Sequence, residues 1–463
     1  MDKSRRSFLR DFTLVTGSLV AVTDLLAEPN FFDDSQNSVN MWSFKAEKIN
    51  RVRIAVVGLG MRGSDAVGRL LYIDGVEITC LCDLLSERVE KSQGTLRKRG
   101  LKEAKGYHGS EGWKKMIKEN DIDLVYICTP WDLHAEMAVE SMNAGKHVAC
   151  EVPLALTVEE CWEVVRTSEK TKKHCMMLEN TCYDFFEMLT LNMSRQGLFG
   201  ELIHAEGAYI HDLLDLNFSK DGYYDMWRLK ENIKHNGNLY PTHGLGPISQ
   251  CMNINCGDRF DYLVSMQSND FSMGQTAKQL SEKDPFYTQF ADKKFRGNMN
   301  MTMIKSISGK TVMVQHDVSS PRPYSRLHVL SGTKGFAQKY PDEKISFGHE
   351  FINNQELEKL YEKYLPKLSK QIGDLAKKIG GHGGIDFMMD WRLIDCLRNG
   401  LPIDQPVYEG ALWSSIIPLS EKSIKRGSQP IKVPDFTKGS WKENSPFDLE
   451  MKGGGNTKVL LKK

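Results

Sequence analysis

The run Arg51-Val52-Arg53-Ile54-Ala55-Val56-Val57 leads without a break into Gly58-Leu59-Gly60-Met61-Arg62-Gly63. The first segment has the β-branched composition and length of a buried strand. The second is a complete G-x-G-x-x-G, and the residues after it, Ser64 to Ile73, have helical character. Few folds accommodate that order. Gly58 permits a tight turn, Gly60 lets the backbone approach a pyrophosphate, and Gly63 allows close helix–strand packing. The free N–H groups and dipole at the helix start then attract phosphate. A second strand, Val76 to Cys82, ends in Asp83, 20 residues beyond Gly63. A carboxylate there accepts hydrogen bonds from a ribose diol and repels a 2′-phosphate, so the pattern implies NAD rather than NADP. Arg88 lies near and reads as a helix-surface residue.

The alternation continues. A helical stretch from Glu111 to Lys118 precedes the strand Leu124 to Cys128, which ends at Thr129-Pro130-Trp131-Asp132-Leu133-His134. A helix over Ala135 to Asn143 is stopped by Gly145. The strand His147 to Cys150 then ends at Glu151-Val152-Pro153. Thr157 and Glu160 have capping-box spacing for the next helix. The strand Cys175 to Leu178 follows, ending in Glu179-Asn180. Repeated βα units predict a parallel, doubly wound Rossmann sheet, whose ligands bind at the carboxyl ends of the strands. Gly58, Gly60, Met61, Arg62, Gly63, Asp83, Trp131, His134, Glu151, Val152 and Asn180 are therefore the candidate cofactor-binding residues.

Beyond Asn180 long alternating runs take over: Leu202 to His211, Tyr262 to Gln267, Met299 to Ser308, Thr311 to Val318 and Arg326 to Ser331. They predict an α/β domain with an open, mainly antiparallel sheet. One face would pack on helices and the other would be offered to a ligand. Residues 351–379 read as a charged amphipathic helical insertion on the surface, and helices return around Asp386–Arg398 and Val407–Lys425. The expected division is 1–44 as signal and linker, 45–181 as the NAD-binding domain and 182–463 as the substrate domain.

Ser4-Arg5-Arg6-Ser7-Phe8-Leu9-Arg10 precedes a weakly apolar stretch from Phe12 to Ala27, the pattern of a twin-arginine signal. That pattern predicts a periplasmic or exported protein, folded with its cofactor before export, with cleavage after Ala27 and a loose linker over residues 28–44. No segment is long and apolar enough to span a bilayer. Formal net charge is +1, from 61 basic and 60 acidic residues, so no basic face for nucleic acid is expected. Ten cysteines are scattered without a CxxC pair, which argues for buried thiols and against a zinc site. No metal is expected.

A Rossmann domain with the turns Thr129-Pro130…His134 and Cys150-Glu151-Val152-Pro153 resembles the glucose–fructose oxidoreductase/inositol dehydrogenase family. That family has a lysine where this chain has Val152, and valine cannot move a proton, so ordinary alcohol dehydrogenation is put in doubt. The wider motif set is GLGMRG, CTPWDLH, ACEVP, LEN, GAYIHDL, MWRL, LYPTHGLGP and HGGIDFMMDWRL. It closely resembles glycoside hydrolase family 109, the NAD-dependent α-N-acetylgalactosaminidases. The resemblance implies a small glycan substrate, retained configuration, a hydride taken from the sugar and returned to it, and a homo-oligomer built through the open sheet. A NAD-dependent sugar or polyol dehydrogenase is the alternative, and a binding protein that holds NAD without turnover is a third class. Intact Tyr240, His243 and Arg228 argue against the third.

Within that resemblance, Leu239-Tyr240-Pro241-Thr242-His243-Gly244 is the candidate proton-transfer site, with Tyr240 and His243 catalytic. A histidine can act as a base near neutral pH, and a tyrosine can bind or protonate a sugar oxygen. Which of the two is the base stays open. Tyr209, Arg228 and Tyr324 join them as candidate substrate-binding residues, Arg228 because a guanidinium can fork onto hydroxyls or an acetyl carbonyl. Glu151 could also reach the sugar. Tyr183 and His382 are even between site and structure. Trp227, Trp391 and Trp413 could stack on sugar or fill the core.

Overall fold

The computed structural model describes residues 39–461. The twin-arginine stretch lies outside them. The Rossmann half contains β1 (Val52–Val57), β2 (Val76–Asp83), β3 (Lys105–His108), β4 (Leu124–Ile127), β5 (His147–Cys150) and β6 (Cys175–Met177). They form one parallel sheet in the order β3-β2-β1-β4-β5-β6, reversing direction between β1 and β4. A crevice opens at such a reversal, outside the carboxyl ends of the strands. β1 and β4 are almost wholly buried, as strands covered on both faces must be.

The first helix spans Met61–Leu70, three residues earlier than the sequence pattern suggested. It begins inside the glycine motif, and its third position must be glycine: a Cβ on Gly63 would lie 1.8 Å from the Gly58 carbonyl oxygen. The Thr157 capping box is present in full. All ten cysteines are free and most are buried.

The second sheet has β7 (Leu202–Ile210), β8 (Phe260–Gln267), β9 (Asn300–Ser306), β10 (Thr311–Asp317), β11 (Ser325–Gly332), β12 (Phe336–Gln338), β13 (Lys344–Ser346) and β14 (Ile431–Lys432). Their order is β13-β12-β11-β7-β10-β9-β8-β14, antiparallel except for β10 beside β7. The three short strands, β12 to β14, carried no readable pattern. One face packs against the helices Thr242–Cys251 and Val407–Lys425, and the other is open, exposing Met266, Met301 and Met303.

Three expectations need correcting. The open face does not present the ligand cavity. Tyr209 and His211, which line it, project from the helix-covered side, where Ala205 and Gly207 also lie. The segment 351–379 is helical as expected, in two pieces, Asn354–Tyr364 on the surface and Lys367–Ile379, which is not a surface feature. Pro366 ends the first by disfavouring helical backbone at Leu365, and the second buries Leu368, Ile372 and Ala376. Residues 39–44 are docked, not loose. The Met41 amide donates to the Tyr408 hydroxyl at 3.1 Å, and the Trp42 indole donates to the Ser445 carbonyl at 2.7 Å.

A helix far along the chain, Ile385–Asn399, packs on the Met61–Leu70 helix and β1. Its Asp390 accepts from Arg69 at 3.0 Å and from the Tyr126 hydroxyl at 2.7 Å. The Rossmann layer is thus completed by sequence from the far end of the chain.

Candidate active site

One cavity of about 660 Å³ runs from Gly58, Gly60 and Met61 past Asp83 to Trp131, Glu151, Val152 and Asn180. It ends among Tyr209, His211, Arg228, Tyr240 and His243. Ten of the eleven predicted cofactor residues line it. Gly63 does not, since its role is the close approach described above.

The cofactor half fits a dinucleotide. Gly58 has φ +84°, and a Cβ there would meet the Cys128 backbone at 2.6 Å, so only glycine lets the turn pass β4. The Asp83 carboxylate accepts from the Leu59 amide at 2.6 Å and the Leu85 amide at 2.9 Å, which fixes it at the end of β2. Arg88 stands 3.7 Å from it and also lines the cavity, so it belongs to the cofactor side and is not merely a helix-surface residue. Arg62 is held between Glu151 at 2.6 Å and Asp386 at 2.8 Å. Burial pushes the Asp386 carboxyl up, but the His382 hydrogen bond and the Arg62 and Arg69 charges outweigh it and hold the group well below the usual range. Asn180 donates to the same Asp386 at 2.5 Å. His134 is buried with its two ring nitrogens 2.7 Å from the Pro153 carbonyl and 2.8 Å from the Thr129 carbonyl. It ties together the two turns that the motifs singled out.

The other half is organised by a glycine pair. A Cβ on Gly207 would lie 2.3 Å from the Gly244 carbonyl oxygen, so strand β7 and the helix Thr242–Cys251 touch backbone to backbone. That contact brings the Tyr209 ring to 5.4 Å from the His243 ring and 4.5 Å from the Tyr240 ring. Tyr240 and His243 are themselves 4.8 Å apart, edge to face. Burial, followed by the neighbouring Tyr209, pushes the Tyr240 phenol well above its ordinary value, which keeps its proton on.

His243 has a partner that sequence reasoning passed over. Its Nδ1 lies 2.7 Å from Oε1 of Glu179, a fully buried carboxylate at the end of β6. The Thr181 hydroxyl donates to the same oxygen at 2.7 Å. Burial pushes the Glu179 carboxyl up, yet the His243 charge and these hydrogen bonds together hold it below the ordinary range. An ionised Glu179 requires Nδ1 to carry the proton, leaving Nε2 to exchange one. The available signal was the position of Glu179 at a strand end within LEN. His211, also missed, lines the cavity and shares a 2.9 Å hydrogen bond with the Tyr209 hydroxyl. Its signal was its spacing of two from Tyr209, which puts both on one face at the end of β7.

Arg228 is buried in an aromatic box. Its guanidinium lies 4.9 Å from the Tyr240 ring centre, 5.1 Å from Trp131, 5.3 Å from Tyr223 and 5.9 Å from Tyr209. It donates to the Tyr223 hydroxyl at 2.9 Å, and no carboxylate among the described residues pairs with it. Held by ring faces and a single hydroxyl, the cation keeps Nη2 without a partner and so retains a donor for a ligand's oxygen atoms. Tyr324 does not line the cavity. It stands at the rim, 39% exposed, with its ring 5.0 Å from His211. His382, by contrast, lines the cavity at its exposed edge, bonded to Asp386 at 2.8 Å. Trp227 lines the cavity, whereas Trp391, Trp413 and Tyr183 are core residues. No group of side chains suited to a metal ion occurs among the described residues.

Residues 52–179 match the family "Oxidoreductase family, NAD-binding Rossmann fold". Residues 183–443 match "Glycosyl hydrolase 109, C-terminal domain". The chain is 49% identical over 398 residues to a protein of Bacteroides fragilis named alpha-N-acetylgalactosaminidase, covering 85% of this chain and 93% of that one. It is 47% identical over 412 residues to a glycosyl hydrolase family 109 protein of Porphyromonas gingivalis, covering 85% and 86%. Among solved structures, levoglucosan dehydrogenase in complex with NADH and L-sorbose shares the fold at TM-score 0.63 and 18% identity, over 84% of this chain and 100% of that one. The aldose–aldose oxidoreductase of Caulobacter crescentus does so at 0.61 and 18%, over 82% and 99%. The chain belongs to glycosyl hydrolase family 109, a glycoside hydrolase built on an NAD-binding Rossmann domain.

Proposed function

We propose that the protein removes terminal α-linked N-acetylgalactosamine with retention of configuration, through elimination and re-addition at the sugar with NAD as a recycled cofactor. The observation that carries this reading is the Glu179–His243 pair, 2.7 Å apart, opening on the same cavity as the glycine-rich turn. The 49% identical relative bears the matching activity in its name. Ordinary glycosidases use two carboxylates across the scissile bond, and NAD-dependent ones are an exception. When bound, NAD supplies a hydride acceptor and donor that makes the sugar's C2 proton acidic for part of each cycle.

The chain's own residues account for the rest. His243 Nε2 takes the C2 proton, and Glu179 orients the ring and stabilises the imidazolium formed. The C1–oxygen bond then breaks and the leaving oxygen takes up a proton from solvent; water adds its oxygen at C1, releasing a proton to solvent, as the imidazolium returns a proton to C2. Tyr240, with its proton retained, is a hydrogen-bond donor and not the base. Arg228 offers guanidinium donors to substrate oxygens from a site where no carboxylate among the described residues pairs with it. Val152, buried against the cavity, leaves no lysine to run a simple alcohol dehydrogenation.

The test is p-nitrophenyl α-N-acetylgalactosaminide in deuterated water. Nitrophenol release with deuterium at C2 of the sugar, and no accumulating NADH, is the expected result. NADH accumulation from a free sugar without nitrophenol release would overturn the reading in favour of a dehydrogenase.

Two further parts of the proposal have their own checks. The open sheet face, with Met266, Met301 and Met303 each more than 40% exposed, is the surface for a second copy of the chain. Met301→Glu with Met303→Glu should give a monomer by light scattering, and unchanged assembly would refute it. Export by the twin-arginine route should carry a folded reporter fused after residue 44 out of the cytoplasm, and Arg5→Lys with Arg6→Lys should stop it.

A further inference from the structure

We propose that a second cavity, between the helices Asn354–Tyr364 and Lys367–Ile379 and the loop Lys339–Glu343, binds a neutral sugar unit of the same glycan whose end occupies the catalytic cavity. This rests on the glycosidase reading above.

The cavity holds about 520 Å³ and is lined by Asp184, Glu343, Asp374, Lys339, Lys370 and Lys377, with Phe185, Tyr361 and Ser369. Three carboxylates oppose three ammonium groups. The charges cancel, so neither an anion nor a cation is drawn in by net field. Carboxylates only accept and ammonium groups only donate. A ring of hydroxyls, each both donor and acceptor, satisfies both kinds at once, and Phe185 and Tyr361 supply aromatic surface beside them.

The wall is firmly built. Arg326 Nη2 reaches Asp184 at 2.5 Å and Glu187 at 2.6 Å, and Lys339 reaches the same two at 2.7 Å and 2.6 Å. The Tyr361 hydroxyl donates to Glu343 at 2.7 Å. Next to Arg326, strand β11 carries two successive non-glycine residues in the left-handed region, Leu327 at φ +58° and His328 at φ +54°. Its pairing with β7 slips on either side of Leu327. Backbone of this kind persists where surrounding structure demands it, often at ligand sites.

An independent observation points to a ligand. Ser369 is 3% exposed, lines the cavity, and its hydroxyl makes no hydrogen bond. A helical serine normally satisfies itself on the carbonyl one turn back. An unpaired buried hydroxyl is costly, and a sugar hydroxyl would satisfy it.

A short series of side-chain contacts runs between the two cavities. Arg326, bonded to Asp184 in the second cavity, also donates to the Tyr324 hydroxyl at 3.2 Å. The Tyr324 ring lies 5.0 Å from His211 of the catalytic cavity and 6.0 Å from Tyr340, the neighbour of Lys339. Tyr324, 39% exposed between them, is the residue over which a glycan reaching from one to the other would pass.

The test has a binding arm and a kinetic arm. Saturation-transfer NMR on the NAD-loaded enzyme uses lactose as the probe, with excess free N-acetylgalactosamine filling the catalytic cavity. Lactose signals should persist under that excess. They should fall at least roughly 3-fold in Ser369→Met, which fills the cavity, and in Asp374→Ala, an exposed rim residue whose loss leaves the fold intact. No transfer to lactose, displacement by N-acetylgalactosamine, or undiminished transfer in Asp374→Ala would overturn the proposal. In the kinetic arm, both variants should lower kcat/KM about 5-fold on a trisaccharide ending in α-N-acetylgalactosamine while p-nitrophenyl glycoside turnover stays within about 2-fold. Equal losses on both substrates would also overturn it. The binding arm needs no turnover, so it decides the cavity even if the aryl glycoside is not cleaved, an outcome that refutes only the glycosidase reading.

Discussion

Replacing Glu179 with glutamine changes almost no volume and removes one charge at the centre of the site. Oε1 of Glu179 receives His243 Nδ1 at 2.7 Å, the Thr181 hydroxyl at 2.7 Å and the Thr181 amide at 3.2 Å. A glutamine oxygen can keep the Thr181 bonds. It cannot stabilise an imidazolium as a carboxylate does, and if its NH₂ faces the ring it forces the proton onto Nε2, the wrong nitrogen for a base. A charge-assisted hydrogen bond contributes roughly 1.5–3 kcal/mol. The attraction between an imidazolium and a carboxylate at such range contributes about 4 kcal/mol at an effective dielectric of 20. Part of each is already present before proton transfer, so about 3–5 kcal/mol of transition-state stabilisation is at stake. That is a 10²- to 10⁴-fold drop in kcat, on the order of the effect of neutralising the carboxylate of a serine-protease triad. The assay is nitrophenol release with kcat and KM separated, alongside melting temperature and NAD retention. KM, melting temperature and bound NAD should change little. A loss in kcat below about 10-fold, with the fold and cofactor intact, would refute the claim that this buried carboxylate orients and charges the base. The acid limb gives a second check. Because the folded Glu179 carboxyl lies below its unfolded value, its contribution to stability is full above the ordinary carboxylate range and is lost as pH falls through the depressed value. Glu179→Gln should therefore flatten that part of the stability profile.

Other outcomes follow from the same geometry. Arg228→Met should lower kcat/KM at least about 10-fold while leaving the melting temperature unchanged or higher, because an apolar chain of similar length replaces a buried cation that has no carboxylate partner among the described residues. A lowered melting temperature with normal KM would instead make Arg228 structural. Asp83→Asn should weaken NAD roughly 10-fold by fluorescence titration and narrow the preference over NADP, and unchanged NAD affinity would refute its place at the ribose. Gly207→Ala puts a methyl 2.3 Å from the Gly244 carbonyl and should cost about 1–3 kcal/mol by denaturant titration, with kcat falling as Tyr209 and His243 separate. Glu409 is fully buried, and burial pushes its carboxyl up to about 8 against partial opposition from Gln250 and Arg195. The folded state then binds the proton more tightly than the unfolded one. Stability should fall by up to about 1.4 kcal/mol per pH unit as pH rises from the ordinary carboxylate value toward about 8. Glu409→Gln should remove that slope and be the more stable protein at neutral pH, and an unchanged slope would refute the assignment.

Local signals in the sequence determined much of this protein. The order of strand, glycine turn and helix follows from steric needs that act within a few residues, and Gly58 at φ +84° is one of them. Alternation of period two marked the five long strands of the second sheet, and βα repetition implied the first sheet's parallel order. Short strands such as β12 to β14 carry too few residues for a period, and they form because a neighbour is already in place. The sequence also put Tyr240 and His243 on one turn, since three residues of chain fix that distance. Tertiary structure alone decided the rest. Glu179 meets His243 from 64 positions away, Asp386 reaches Arg62 from 324 away, and Tyr209 is brought in by a contact between two glycines. It also turned the ligand cavity to the helix-covered side of the second sheet and moved Tyr324 to its rim. Such meetings have no periodicity to read. They arise when buried faces that match in shape are pressed together to exclude water, and a buried charge is tolerated there only where packing has brought it a partner.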